Sequence, residues 1–121
     1  MRYLRPVSIV IALTVSLVGT GCRSSHVDVS VENRTGEAIR LLEVSYPSAS
    51  FGADSLAAGA TLRNRIQLRG DGPVKVTFAG ARTQFAEITG PVLAEKQNGI
   101  LQIVLLGGGK ADFHPDLHSP Q

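Results

Sequence analysis

Residues 26–32 read His-Val-Asp-Val-Ser-Val-Glu, and this strict alternation of valine with polar residues governs how the rest of the chain is interpreted. Successive side chains of a β-strand point to opposite faces, so the pattern predicts a strand with one buried face. Thr61 to Arg69 alternates in the same way, with Leu62, Ile66 and Leu68 facing inward. Asn64 shares that inward face and needs hydrogen-bond partners if it is buried.

The second predicted strand, Glu37 to Tyr46, changes phase in its middle. Leu42, Val44 and Tyr46 share one face, and Ile39 and Leu41 lie on the other. This predicts either cover on both faces or a β-bulge near Leu41-Leu42. The remaining elements are read from short apolar runs and from glycine and proline. They are an irregular segment at Ser48 to Ala58, a hairpin loop at Gly70 to Pro73 before a strand at Val74 to Ala79, and strands at Arg82 to Thr89 and Ile100 to Leu106. A polar connection from Pro91 to Gly99 contains a short edge strand at Val92-Leu93, and a glycine turn at Gly107 to Gly109 leads into Lys110 to His114, with a frayed tail from Pro115 to Gln121.

This spacing of short strands predicts an all-β fold. About seven or eight strands in roughly 90 residues are typical of a single antiparallel sandwich of the immunoglobulin-like or fibronectin-III-like kind. We assign residues 26–114 to this domain and residues 115–121 to a flexible tail.

The amino-terminal segment has the features of an export signal. Met1 to Pro6 carries Arg2 and Arg5 and no acid, and Val7 to Val18 follows as 12 uncharged residues. That run suits the apolar region of a secretory signal and is shorter than the roughly 20 residues that a membrane-spanning helix needs.

The small residues Gly19, Thr20 and Gly21 directly before Cys22 resemble the lipobox of bacterial lipoproteins. The resemblance implies that residues 1–21 are a lipoprotein signal peptide, cut off before Cys22. It also implies that diacylglycerol is joined to the Cys22 thiol, that the new amino terminus is acylated, and that residues 22–25 are the lipidated cysteine and a short linker. Small bacterial lipoproteins with one such domain are similar overall, including the turn at Asn33 to Gly36.

The alternative for Cys22 is a free thiol behind an ordinary cleaved signal. It is the only cysteine, so it has no partner for an intramolecular disulfide, and an exposed thiol is a liability in an oxidising compartment. Acylation removes both objections and anchors the protein. The resemblance places the protein in the bacterial envelope. Because Arg23 is not the aspartate of an inner-membrane retention signal, the periplasmic side of the outer membrane is favoured.

The charge balance of the mature chain gives no argument for an anionic partner. The whole chain has 12 basic and 10 acidic residues, and loss of Arg2 and Arg5 with the signal leaves ten of each. A near-neutral domain gives no argument for nucleic acid as a partner.

Two groups of side chains are candidate binding sites. The first is a stripe of four basic residues that is predicted to cross two neighbouring strands: Arg63, Arg65, Arg69 and Lys75. Such a stripe is suited to a protein partner, to lipid headgroups or to an acidic glycan. The second group consists of three side chains at i, i+2 and i+4 near the carboxyl terminus: His114, Asp116 and His118. Histidine and aspartate are residue types that bind zinc. A solvated tail is the preferred interpretation of the second group.

The residues predict no enzyme and no cofactor. A nucleophile needs a base and an orienting group beside it, whereas the serines lie in predicted turns and the histidines at the two ends of the mature chain. Arg69-Gly70-Asp71 spells an integrin-type tripeptide, but glycine and aspartate are also what a tight turn requires. The leading hypothesis is a membrane-anchored envelope lipoprotein that works through a protein partner or has a structural role. The alternative is a small-ligand or metal-binding lipoprotein that uses residues 114, 116 and 118.

Overall fold

The computed structural model describes residues 25–81 and 84–119, so the signal segment, Cys22 and the last two residues lie outside the described residues. The described part contains no helix, hence none long and apolar enough to cross a membrane. It contains eight strands: β1 (Val27–Arg34), β2 (Ile39–Tyr46), β3 (Ala49–Leu56), β4 (Thr61–Ile66), β5 (Gly72–Ala79), β6 (Ala86–Leu93), β7 (Asn98–Leu106) and β8 (Lys110–His118).

The strands form two four-stranded sheets, so the all-β prediction and the predicted number of strands are confirmed. The first sheet has the order β4-β1-β7-β8 and the second the order β3-β2-β5-β6. The prediction of a purely antiparallel arrangement is wrong at one pairing, since β1 and β7 run parallel. Parallel neighbours need a long crossover. The chain supplies it by visiting the second sheet between β1 and β7.

The core lies between the sheets and is apolar. Val27, Val29 and Val31 are at most 1% exposed, as their alternation predicts. They pack with buried residues of both sheets, which include Leu42, Val44, Val76, Phe78, Leu101, Ile103 and Leu105.

Of the two alternatives for β2, cover on both faces or a bulge, the structure shows the bulge. The pairing of β2 with β5 shifts register between Arg40 and Glu43. Between them Leu41 has φ of 54°, a left-handed conformation that leucine rarely adopts. The bulge turns the Leu41 side chain to solvent, where it is 57% exposed, while Leu42 stays in the core.

Two predictions in the middle of the chain are wrong. Ser48 to Ala58 is not irregular, because Ala49–Leu56 pairs with β2 along its length. Gly70 to Pro73 does not join a hairpin, because β4 and β5 belong to different sheets. The connection crosses the end of the sandwich and buries Leu68, which is 1% exposed. Asn64 is exposed on the edge strand β4, and its Oδ1 accepts a hydrogen bond from the amide of Arg65 at 2.8 Å.

The predicted tail also differs from the structure, because β8 continues through Pro115 to His118. Proline lacks an amide donor and is tolerated in an edge strand, where one side of the backbone has no neighbour. β8 is the edge of the first sheet, and it pairs with β7 from Lys110 to His118. The domain therefore extends four residues beyond the predicted boundary at His114.

Candidate functional site

The outer surface of the first sheet brings together residues that are distant in the sequence. The strand registers align Arg65, Asp28, Ile100 and Asp116 in one row across the sheet. The next row is Arg63, Ser30, Gln102 and His114. We call these two rows the polar face. A shallow depression of about 600 Å³ lies over its part between β4 and β7.

Arg65 is already paired on this face. Its Nε donates to Asp28 Oδ1 at 2.8 Å, and this hydrogen bond, together with the carboxylate charge, raises the pKa of the Arg65 guanidinium above its ordinary value. Both side chains are more than half exposed, so water and salt screen the pair. Arg63 lies one row away and has no ion pair within residues 25–81 and 84–119. The polar face therefore offers one paired arginine and one open to a partner.

The proposed metal ligands share one face of β8 but do not converge. Side chains two residues apart in a strand are separated by about 6.8 Å, and those four apart by about 13 Å, whereas zinc ligands lie about 2.1 Å from the ion. His118 Nε2 is 3.6 Å from Asp116 Oδ1, and His114 stands further along the strand. Among the described residues, no three His, Cys, Asp or Glu side chains are grouped as a metal site.

The basic stripe predicted from four residues is divided by the fold. Arg63 and Arg65 lie on the polar face, but Lys75 belongs to β5 in the other sheet, and Arg69 lies in the connection between the sheets. The prediction assumed that β4 and β5 pair, which they do not. Lys75 pairs instead with Ser45 and Thr89 on the outer surface of the second sheet.

A second surface, which the sequence does not predict as a site, lies on the outside of the second sheet. Leu41 and Phe85 are 57% and 60% exposed and line one open depression of about 700 Å³. Thr77 and Gly52 also line it, and a Cβ added at Gly52 would collide with the carbonyl oxygen of Leu42. We call this surface the apolar depression. The only sequence signals for it are the phase change near Leu41 and Phe85, which in the predicted strand from Arg82 to Thr89 faces opposite to Ile88.

The charged side chains of the apolar depression are acidic. Glu43 and Asp54 line it, and no basic side chain does among the described residues. Neither acid forms an ion pair within that part of the chain. Exposed apolar groups beside unpaired carboxylates suit a partner segment that carries a bulky apolar side chain next to lysine or arginine.

Hydrogen bonds join the β4–β5 connection to the β6–β7 connection at the end where β1 begins. The Gly70 amide donates to Glu95 Oε2 at 2.9 Å, and the Glu95 amide donates to Asp71 Oδ1 at 2.7 Å. The Tyr46 hydroxyl lies within hydrogen-bond reach of the carbonyl oxygens of Gly70 and Leu93. Burial, with the charges of Asp71 and Glu95, raises the pKa of Tyr46 above its ordinary value. Arg69-Gly70-Asp71 therefore serves here to close a loop, as its turn chemistry suggests.

Comparison of the chain with models of protein families, with curated proteins and with solved structures found no match in any of the three. The function is therefore inferred from the two surfaces and from the amino-terminal sequence.

Proposed function

We propose that this protein is a non-enzymatic lipoprotein of the bacterial cell envelope that presents one β-sandwich to a protein partner. The anchor is lipid on Cys22, and its support is the lipobox-like sequence from Gly19 to Cys22. The outer membrane is the proposed location, with the domain in the periplasm.

The observation that carries the partner role is the exposure of Leu41 and Phe85 around one depression. Two large apolar side chains at one concave site are a usual mark of a protein contact. Leu41 is also held in a left-handed conformation, and such strain is retained mainly where a site needs it. The partner that fits has an apolar side chain for the depression and a basic group for Glu43 and Asp54.

The proposal includes an immunoglobulin-like or fibronectin-III-like relationship for the domain. Two packed sheets of four strands and repeated crossings between them support it. The parallel pairing of β1 with β7 distinguishes this domain from a purely antiparallel sandwich.

The anchor is tested by the intact mass of the protein from a membrane fraction. We expect the mass of residues 22–121 plus acyl chains, and loss of membrane association in a Cys22→Ala variant. A mass without lipid would overturn the anchored form of the proposal and return Cys22 to the reactive thiols.

The partner role is tested by replacing Phe85 with a photo-crosslinking amino acid in the full-length protein in its host cell. Ala58 is the matched control, because it is exposed in the turn before β4 and is not part of the apolar depression. We expect one discrete protein adduct from position 85, none from position 58, and loss of that adduct on Leu41→Ser. Equal crosslinking at both positions, or none at position 85, would contradict the proposal.

A further inference from the structure

The topology places one end of the sandwich next to the start of the chain's described part. β1, β3, β5 and β7 begin at this end, and β2, β4, β6 and β8 finish there. We call it the tether end. Only residues 23–25 separate Cys22 from His26, and three residues span at most about 10 Å. A lipid on Cys22 therefore holds the tether end within reach of the bilayer surface.

An apolar row crosses the outer surface of the second sheet at the tether end. Val92, which is 71% exposed, is the register partner of Pro73. Pro47 is exposed and lies against the start of β5, where a Cβ added at Gly72 would be 2.5 Å from Pro47 Cγ. Pro47 and Pro73 line one small hollow together with Lys75. Exposed Val92 and Pro47 therefore form a contiguous row with half-buried Pro73 between them, and a lysine lies beside it.

Three exposed basic side chains lie at or near the tether end. Lys75 is exposed in the strand that carries Pro73, two residues further from the end. Arg69 and Lys96 are exposed in the two connections that close the end. The acids beside them, Asp71 and Glu95, accept hydrogen bonds from backbone amides. An apolar edge with lysine and arginine behind it is the arrangement by which a protein surface rests in the headgroup region, because long basic side chains reach back to the phosphates.

We propose that the tether end is a lipid-contacting surface, with Val92, Pro73 and Pro47 against the bilayer and with Lys75, Arg69 and Lys96 at the headgroup phosphates. The inference rests on the proposed acylation of Cys22 and adds an orientation to it. The domain does not swing freely on its linker. It stands with β1 rising from the membrane, and it presents the apolar depression, which lies nearer the opposite end of β2, to the periplasm.

The single cysteine makes the orientation measurable. Once Cys22 is acylated, a cysteine introduced elsewhere is the only free thiol and takes a polarity-sensitive fluorophore at one position. We would label Val92→Cys, Thr89→Cys and Ala58→Cys in the full mature lipoprotein and reconstitute each in vesicles of phosphatidylethanolamine and phosphatidylglycerol. Nitroxide-labelled lipids in the vesicles then quench only the fluorophores that approach the bilayer.

We expect strong quenching and a blue-shifted emission at position 92, weaker quenching at position 89 on the same strand, and none at position 58 at the opposite end. A Val92→Asp substitution in the Thr89→Cys protein should abolish quenching, whereas Val92→Ile should retain it. Both changes are on an exposed side chain, so the fold is preserved.

Equal and weak quenching at all three positions of an acylated protein would overturn the proposed orientation and leave the anchor intact. Failure of the anchor gives a different result. Cys22 then remains a free thiol, each variant takes two fluorophores, and the protein does not stay with the vesicles.

Discussion

Asn33 Oδ1 accepts two hydrogen bonds from Thr35, one from its amide at 3.0 Å and one from its hydroxyl at 2.6 Å. Asn33 is fully buried, and its Nδ2 lies 2.8, 3.0 and 3.2 Å from the carbonyl oxygens of Glu37, Leu56 and Ala57. One side chain thus satisfies backbone groups of two connections, one between β1 and β2 and the other between β3 and β4. It fastens these connections at the end opposite the tether end.

Loss of this network should destabilise the fold. We expect Asn33→Ala to lower the free energy of unfolding by about 3 kcal/mol, because several buried carbonyl groups lose their donor. Thr35→Val keeps the shape and the amide bond and should lower it by about 1 kcal/mol. Urea unfolding of the domain measures both values. If Asn33→Ala lowers the free energy of unfolding by less than about 0.5 kcal/mol, the hydrogen bonds of Asn33 do not stabilise the two connections as expected.

Gly52 should not tolerate a methyl group. A Cβ at this position would overlap the carbonyl oxygen of Leu42, so β3 must move away from β2 at the bulge. We expect Gly52→Ala to lower the free energy of unfolding by about 2 kcal/mol. Gly107→Ala is the control, because its nearest neighbour would be an ordinary contact at 3.8 Å. If the two variants have similar melting temperatures, the close approach of Gly52 to the Leu42 carbonyl oxygen does not contribute to stability.

Leu41→Gly should stabilise the domain while it removes a contact from the apolar depression. Leucine at positive φ is strained by about 1 kcal/mol, and glycine adopts this conformation freely. We therefore expect the free energy of unfolding to rise by about 0.5 kcal/mol and crosslinking from position 85 to fall. Ile100→Gly is the contrasting change in an exposed strand position without positive φ, and it should destabilise by about 1 kcal/mol. If Leu41→Gly is less stable than the natural protein, the hypothesis that Leu41 is strained at positive φ is wrong.

Tyr46 should make stability depend on alkaline pH. Its pKa in the folded protein is raised above the ordinary value of 10.0, so the folded state favours the protonated phenol. This contribution is fully present below the ordinary pKa and is lost as the pH rises through the folded value. We expect the free energy of unfolding of Tyr46→Phe to lie about 1 kcal/mol below that of the natural protein at pH 8. The difference should shrink above pH 10. If it stays constant up to pH 11, ionisation of Tyr46 is not coupled to unfolding.

The sequence predicted those elements whose cause is local. The valines at 27, 29 and 31 alternate because one face of β1 is buried, and the bulge near Leu41 follows from a phase change inside one strand. The strand β3 was missed because serine, glycine and aspartate in it are poor strand formers, and pairing with β2 overrides that preference.

The loop at Gly70 has the residues of a hairpin turn, and only the tertiary fold decides that it crosses between sheets. The same limit applies to the candidate site. Arg63 and Arg65 share a face by alternation, but Lys75 was placed by an assumed pairing. The apolar depression depends on a bulge in one strand and a connection beside another, which no single stretch of sequence specifies.

The central position of β1 has a mechanical consequence. β1 is paired on one side with β4 from Val27 to Glu32 and on the other with β7 from Val27 to Arg34. A pull through Cys22, along β1, loads the hydrogen bonds of both ladders together in shear, whereas an edge strand peeled from its end would lose them one after another. Under the proposed anchoring through Cys22, this arrangement would let the domain keep its shape when the membrane and the proposed partner move apart.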